Sequence, residues 1–194
     1  MRKFFLMFGV VLLTVRVHAQ SHCFENCFER LAASGKDGYE KKLEILKELV
    51  GCRAPQFEVW SVKGVKLNLN DLKGKVVVIH FWFTDCAPCV AEFPALNQLW
   101  QDYRLQEVVF IAFGGDETQD ILDFIDEHPF HYHQVSGVYD LAKKYCLLGG
   151  WPMHLVLDKE GIVRDIFAGA PEGAKAETAA YYRMKPVIDQ CLGL

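Results

Sequence analysis

Val76-Val77-Val78-Ile79-His80-Phe81-Trp82-Phe83-Thr84-Asp85-Cys86-Ala87-Pro88-Cys89-Val90-Ala91-Glu92-Phe93-Pro94 is the stretch from which the rest of the chain is read. Its first half is an unbroken apolar run rich in β-branched and aromatic residues, the pattern of a buried strand. The run stops at Thr84-Asp85. Cys86 and Cys89 follow, and the pattern then turns helical, with Cys89, Phe93, Leu96, Leu99 and Trp100 on one face. A Cys-x-x-Cys at a strand-to-helix junction has a definite chemical meaning. Cys86 falls at the helix N-terminus, where free N–H groups and the positive dipole end stabilise a thiolate. Cys89, one turn on, lies beneath it and can resolve a mixed disulfide.

Downstream, residues 107–113 form a second buried strand closed by Gly114-Gly115. Residues 116–127 read as a helix with Ile121, Leu122, Phe124 and Ile125 inward, ended by His128-Pro129. A short strand over 131–135 and a helix over 137–146 come next. Gly149-Gly150-Trp151-Pro152 is a turn between that helix and a strand over 153–157. A hairpin loop, 158–161, leads to a return strand, 162–168, and a closing helix spans 173–192 with Pro186 as an interruption. Pro94, inside the helix after Cys89, predicts a kink. Upstream, 57–62 and 65–69 flank Lys63-Gly64 as a hairpin, and Gly74 stops the turn at 70–74 before the central strand, 75–83. A βαβ start and a β-hairpin finish predict an α/β fold: a mixed, largely parallel sheet with helices on both faces.

The chain of 194 residues accommodates one domain plus an appendage, and half of it is hydrophobic, enough for a sizeable core without disulfide staples. A formal net charge of −4 without a dominant basic patch argues against nucleic acid as a partner. Arg2-Lys3, the apolar run from Phe4 to Val15, and Val17-His18-Ala19 read as a secretory signal cut after Ala19. That run falls short of the roughly 20 residues a membrane span needs, although Arg16 and His18 leave an uncleaved anchor open. The expected division is 1–19 signal peptide, 20–50 N-terminal helical appendage and 51–194 main domain, in a periplasmic or secreted protein.

Seven cysteines are present: Cys23, Cys27, Cys52, Cys86, Cys89, Cys146 and Cys191. Setting aside Cys86 and Cys89 leaves five, so at least one thiol stays free or pairs between molecules. Residues 22–33 and 39–50 read as amphipathic helices joined by the turn 34–38, a hairpin that brings Cys23 or Cys27 near Cys52. We expect a Cys23–Cys52 bridge; the plainer alternative leaves Cys23 and Cys27 as ordinary helix-face residues. His22, Cys23 and Cys27 also suggest a metal or haem site, but they supply only three ligands and no Cys-x-x-Cys-His haem pattern. No cofactor is read from the sequence and no metal is assigned.

Phe81-Trp82, Cys86-Ala87-Pro88-Cys89, Glu92-Phe93-Pro94 and Trp151-Pro152 together resemble the thioredoxin superfamily, and within it the TlpA/ResA-like extracytoplasmic thiol-disulfide oxidoreductases. The likeness runs from about Gly51 to the C-terminus and includes the lead-in Gly51-Cys52-Arg53-Ala54-Pro55-Gln56-Phe57. It implies a thioredoxin-like sheet with Cys86 as nucleophile, Cys89 as resolving thiol and Pro152 as the family's cis-proline facing Cys86. It also implies that Glu92 moves the proton of Cys89; a solvated helix carboxylate is the alternative. Trp151, where most relatives carry a smaller residue, would narrow the site and select partners, or would simply pack. The implied partners are disulfide-containing secreted proteins, apocytochromes among them, with a membrane electron donor upstream.

Three further readings bear on the chemistry. Asp85 stands where relatives commonly have tryptophan, and a carboxylate beside the thiolate opposes it by about 1 kcal/mol in a solvated setting. Ala87-Pro88 offers no charge to favour the reduced thiolate, unlike the histidine of strongly oxidising relatives, so the chemistry leans toward a reductase. His80, six residues before Cys86, takes the place of a buried aspartate in cytoplasmic thioredoxins. It is a candidate proton relay, or a buried hydrogen-bonded histidine. His128, His131 and His133 read as surface or strand residues, whereas His154, close behind Pro152, keeps a metal reading open. A Sco-like copper-handling module of the same fold is the alternative function, though that branch spaces its cysteines by three residues rather than two. A redox-inert domain with a structural Cys86–Cys89 bridge is a third. No Pro-x-x-x-Thr-x-x-Cys peroxidase pattern occurs.

Overall fold

The computed structural model describes residues 22–35, 38–146, 150–169 and 176–194. The expected signal segment, part of the turn at 34–38 between the first two helices, Gly149 and the start of the expected closing helix lie outside these residues. Among the described residues two helices come first, α1 (Cys23–Ser34) and α2 (Tyr39–Lys47). A small antiparallel pair follows, β1 (Glu58–Trp60) and β2 (Lys66–Asn68), and then a 3-10 turn over Leu69–Leu72. The main sheet contains β3 (Val76–Trp82), β4 (Val108–Gly114), β5 (His133–Val135), β6 (Met153–Leu157) and β7 (Val163–Ala168). Between and after these strands run α3 (Ala87–Ala91), α4 (Phe93–Tyr103), α5 (Thr118–Glu127), α6 (Tyr139–Lys144) and α7 (Ala176–Leu192).

The strand order is β5-β4-β3-β6-β7. β3, at the centre, pairs parallel with β4 and antiparallel with β6. All seven of its residues are buried, which is what an uninterrupted apolar strand requires once both faces are covered. Period-two alternation sorts its side chains. Val77, Ile79 and Phe81 enter the core on the side of α1, α2 and the β1–β2 pair. Val78 and Trp82 enter the core on the side of α3, α4 and α7, together with Cys86, Cys89 and Phe93. His80 therefore points to the face that carries the cysteine pair.

The proline expectations need correction. Pro94 is not in a helix interior: it sits near the start of α4, and the chain breaks into α3 and α4 at Glu92. Its missing N–H would have bonded the Val90 carbonyl, so the turn before it is where continuity fails. The Glu92 N–H instead bonds the Cys89 carbonyl (3.3 Å), and the ladder resumes with Leu96 N–H to Glu92 (3.0 Å). Pro186, expected to interrupt the closing helix, lies inside α7, which continues to Leu192. Both Pro186 and Tyr182, whose carbonyl loses its partner, face solvent, where water replaces the bond. Of the four α5 residues expected inward, only Ile121 is fully buried; α5 covers the sheet edge with a narrower stripe. The β1–β2 hairpin forms as expected but stays outside the main sheet.

α1 and α2 share the main domain's core. Leu31, Leu46 and Leu49 are buried in the same cluster as Ile79 and Phe81, each contributing roughly 1.5–3 kcal/mol by burial. Phe24 meets Tyr145 edge-to-face at 5.6 Å, and the Tyr39 hydroxyl bonds the Ala168 carbonyl on β7. The Cys23–Cys52 disulfide is present and closes the hairpin against the lead-in to β1. It removes Cys23 from the conjectured metal set. A Cys23→Ala/Cys52→Ala variant is expected to lose about 2–4 kcal/mol of stability in urea unfolding. A loss under about 0.5 kcal/mol would mean that apolar packing alone holds the hairpin.

Candidate active site

Cys86 and Cys89 are joined in a disulfide. Cys86 caps α3, its N–H bonds the Phe83 carbonyl (3.1 Å), and its own carbonyl accepts the Val90 N–H (3.0 Å). Pro88 near the start of α3 fits a position whose N–H has no helical partner. Cys86 retains 4 % exposure and Cys89 none, so an incoming sulfur can reach only the first of the pair. Asp85 is exposed, so water screens its charge. Closer control comes from Asp116, whose carboxylate accepts the Thr84 N–H (2.7 Å) and ties the loop before Cys86 to the end of β4.

The Trp151–Pro152 peptide bond is cis. The register of β3 against β6 places Phe81 opposite Met153, which carries Trp151-Pro152 to the end of β3 where the cysteine loop begins. The Pro152 carbonyl accepts the Gly169 N–H (2.7 Å). Trp151 is half-buried and meets Phe83 edge-on at 5.4 Å and Phe81 at 6.5 Å. A Cβ on Gly115 would stand 3.5–3.8 Å from Phe83, the Tyr139 hydroxyl and Trp151, so these three aromatic residues converge on one bare patch of backbone. Tyr139 is 70 % exposed there.

Beneath the cysteines lies a sealed polar chain. The carboxylate of Glu92 bonds His154 Nε2 (2.9 Å), and His154 Nδ1 faces His80 Nδ1 (3.3 Å). All three side chains are fully buried. His154 stacks on Phe167 (4.4 Å between centroids), and His80 meets Phe130 and Phe93 edge-on. Burial, with the neighbouring His154 second, pulls the His80 pKa well below the usual histidine value. Burial and then the charge of Glu92 push Tyr132 well above the usual tyrosine value. Among the described residues, His80 Nε2, the second oxygen of Glu92 and the Tyr132 hydroxyl lack a protein hydrogen-bond partner. Each such orphan costs about 1–3 kcal/mol unless water or a ligand meets it.

His80, Glu92 and His154 are the one group of three ligand-type side chains brought close together among the described residues. One ligand atom from each lies within 4.8 Å of the others, and in the structure the three are joined as a hydrogen-bonded chain, His154 turning opposite ring nitrogens to Glu92 and His80.

The structure brings together Cys86, Cys89, Glu92, His80 and the Trp151-Pro152 turn. It overturns the solvated reading of Glu92, whose side chain is buried at the α3–α4 break. His154 approaches the site as a partner of Glu92, a contact that strand alternation alone did not reveal. His128, His131 and His133 are exposed and stand apart from this chain. The signals missed were Asp116 and Tyr132: an acid after a Gly-Gly strand end, and a tyrosine between two aromatic-rich segments, are unremarkable until the sheet places them.

A family profile described as AhpC/TSA matches residues 50–166. The thiol-disulfide oxidoreductase ResA of Bacillus thuringiensis (strain Al Hakam) is 31 % identical over 145 residues, covering 71 % of this chain and 79 % of that protein. The thioredoxin domain of a thiol-disulfide oxidoreductase from Bacteroides vulgatus superposes with a TM-score of 0.59 at 26 % identity, over 72 % of this chain and 97 % of that one. A secreted Mycobacterium tuberculosis disulfide oxidoreductase shares the fold, with a TM-score of 0.56 at 20 % identity over 68 % and 96 %.

His80 yields a pH prediction. It is neutral in the folded chain, whereas the unfolded chain takes up its proton near pH 6.5. Its contribution is complete above that pH and is lost as pH falls, by at most about 1.4 kcal/mol per pH unit. Urea unfolding between about pH 8 and pH 5 should show this loss, and His80→Asn should flatten the curve below about pH 6.5. An unchanged slope in the variant would mean that His80 is protonated in the folded protein.

Proposed function

Because the chain belongs to the AhpC/TSA family and is a ResA-like thiol-disulfide oxidoreductase, we propose that it reduces disulfides of secreted proteins outside the cytoplasm. In this reading Cys86 attacks, Cys89 resolves, Glu92 handles the proton of Cys89, and Trp151-Pro152 receives the substrate. The observation that carries it is the asymmetry of the pair: a marginally exposed Cys86 above a sealed Cys89, with a buried carboxylate one turn further on.

The reduced Cys86 thiolate attacks one sulfur of the partner's disulfide. That S–S bond breaks, the second sulfur leaves as a thiolate and takes a proton from water, and Cys86 is left in a mixed disulfide. Cys89 gives its proton to Glu92 and attacks the Cys86 sulfur. The Cys86–Cys89 bond forms and the partner's remaining sulfur departs. Two electrons have passed to the partner, and an external dithiol donor must restore the pair. We assign that task to a membrane electron donor.

Within the pair of steps, His154 holds one oxygen of Glu92 and leaves the other free to accept the proton. His80 backs His154 and completes the relay. The direction rests on Ala87-Pro88. Without a cation between the cysteines the reduced form gains little stabilisation, so the disulfide is the favoured state and the dithiol a good donor. The Cys23–Cys52 bridge supports an extracytoplasmic setting, since structural disulfides persist in oxidising compartments. The aromatic patch of Phe83, Trp151 and Tyr139 suits an extended polypeptide, apocytochromes included, that lies along the cis-proline turn.

Insulin reduction with a dithiol donor tests the reading. Cys86→Ser should abolish turnover, and Cys89→Ser should accumulate mixed disulfides at Cys86 when exposed to periplasmic proteins. Glu92→Gln should form the mixed disulfide at the normal rate but resolve it about 10²-fold more slowly. Turnover surviving in Cys86→Ser, or mixed disulfides at Cys89, would overturn it.

A further inference from the structure

Three thiols remain outside the two disulfides: Cys27, Cys146 and Cys191. Two of them are neighbours. Cys27 lies on α1, one turn after Cys23 and three residues after Phe24. Cys146 follows α6, and its sulfur donates to the Phe24 carbonyl at 3.0 Å. Phe24 and Cys27 share a helix face. Cys146 therefore sits against the turn of α1 that carries Cys27, 119 residues away in sequence. Both are buried in the same apolar cluster. Cys191 stands elsewhere, on α7 against the opposite cluster.

We infer that Cys27 and Cys146 form a third, oxidant-driven disulfide that locks α1 onto the end of α6. The two thiols are not equivalent. Cys27 lines a cavity of about 390 Å³ whose walls include Arg30 and Glu48, both more than half exposed, so solvent reaches it. Cys146 has no exposure at all. Its hydrogen bond with Cys27, and then burial, hold its thiol far above the usual cysteine range. Cys27 therefore reacts first with an incoming oxidant and Cys146 second.

The oxidant is a low-molecular-weight disulfide. The Cys27 thiolate attacks one sulfur of that disulfide, its S–S bond breaks, and one small thiolate leaves. The Cys146 sulfur, losing its proton, attacks Cys27 and displaces the second small thiolate. The two protons end on the two released thiols, and two electrons pass to the oxidant. Cys146 stands six residues before Pro152 in sequence. Six of the seven cysteines are then accounted for in neighbouring pairs.

The full chain, exposed to excess oxidised glutathione, denatured, alkylated and digested without reduction, tests this. Free thiols should fall from three to one per chain, with Cys27 and Cys146 recovered as one linked peptide pair and only Cys191 alkylated. In Cys146→Ser, Cys27 should stop as the glutathione adduct. In Cys27→Ser, Cys146 should emerge alkylated and without an adduct. Insulin reduction should be unchanged in both variants, since neither residue belongs to the Cys86 site, and this separates failure here from failure of the reductase reading. The wild-type thiol count needs no variant, so a variant that folds poorly does not weaken the test. Cys27 and Cys146 both alkylated after oxidation, a glutathione adduct that persists on wild-type Cys27, or a link from Cys27 to any other cysteine would overturn the inference.

Discussion

The antiparallel pairing of β3 with β6 is the constraint on which the site depends. It sets His80 opposite His154 and Phe81 opposite Met153. From that one register follow the cis-proline turn beside the cysteine loop and the pair of imidazoles below it. A slip by one residue would send His154 to the other face of the sheet, away from Glu92. Both strands are buried along their whole length, so such a slip would also expose or clash every apolar side chain on them. Core packing thus fixes the geometry of the chemistry.

The second constraint is the helix break. A continuous helix after Cys89 would have carried Glu92 on an ordinary helical path. Pro94 forbids that path, and the chain restarts at Phe93 with Glu92 as the joint, its carboxylate sealed against His154. The joint leaves polar atoms without a protein partner in an aromatic surrounding. In a purely structural core that arrangement would be a defect; in the reductase proposed above it is a place to hold the proton that Cys89 gives up.

Much of this was legible in the sequence because it is local. The strand, the Cys-x-x-Cys, the turn before Pro152 and the amphipathic hairpin each declare themselves locally, and the hairpin brings Cys23 or Cys27 near Cys52, of which Cys23 is the one that pairs. The elements of the main sheet follow from runs of apolar residues bounded by glycine. What stayed hidden is what depends on contacts across the fold. Residue 154 meets His80 from 74 positions away, and Cys146 meets α1 from further still. The burial of Glu92 was obscured by assuming that the helix runs on. The two prolines were misjudged in opposite ways: Pro94 starts a helix that it was expected to bend, and Pro186 sits on a solvent face where the lost bond costs little.

The central claim is a division of labour between two sulfurs a turn apart, one presented to partners and one sealed above a carboxylate. The most direct measurement is the rate of iodoacetamide alkylation at each cysteine of the reduced protein, followed by peptide mass spectrometry as pH is raised through neutrality. The account predicts that Cys86 is labelled at neutral pH while Cys89 stays protected until far higher pH. Equal labelling of the two, or labelling of Cys89 ahead of Cys86, would contradict it.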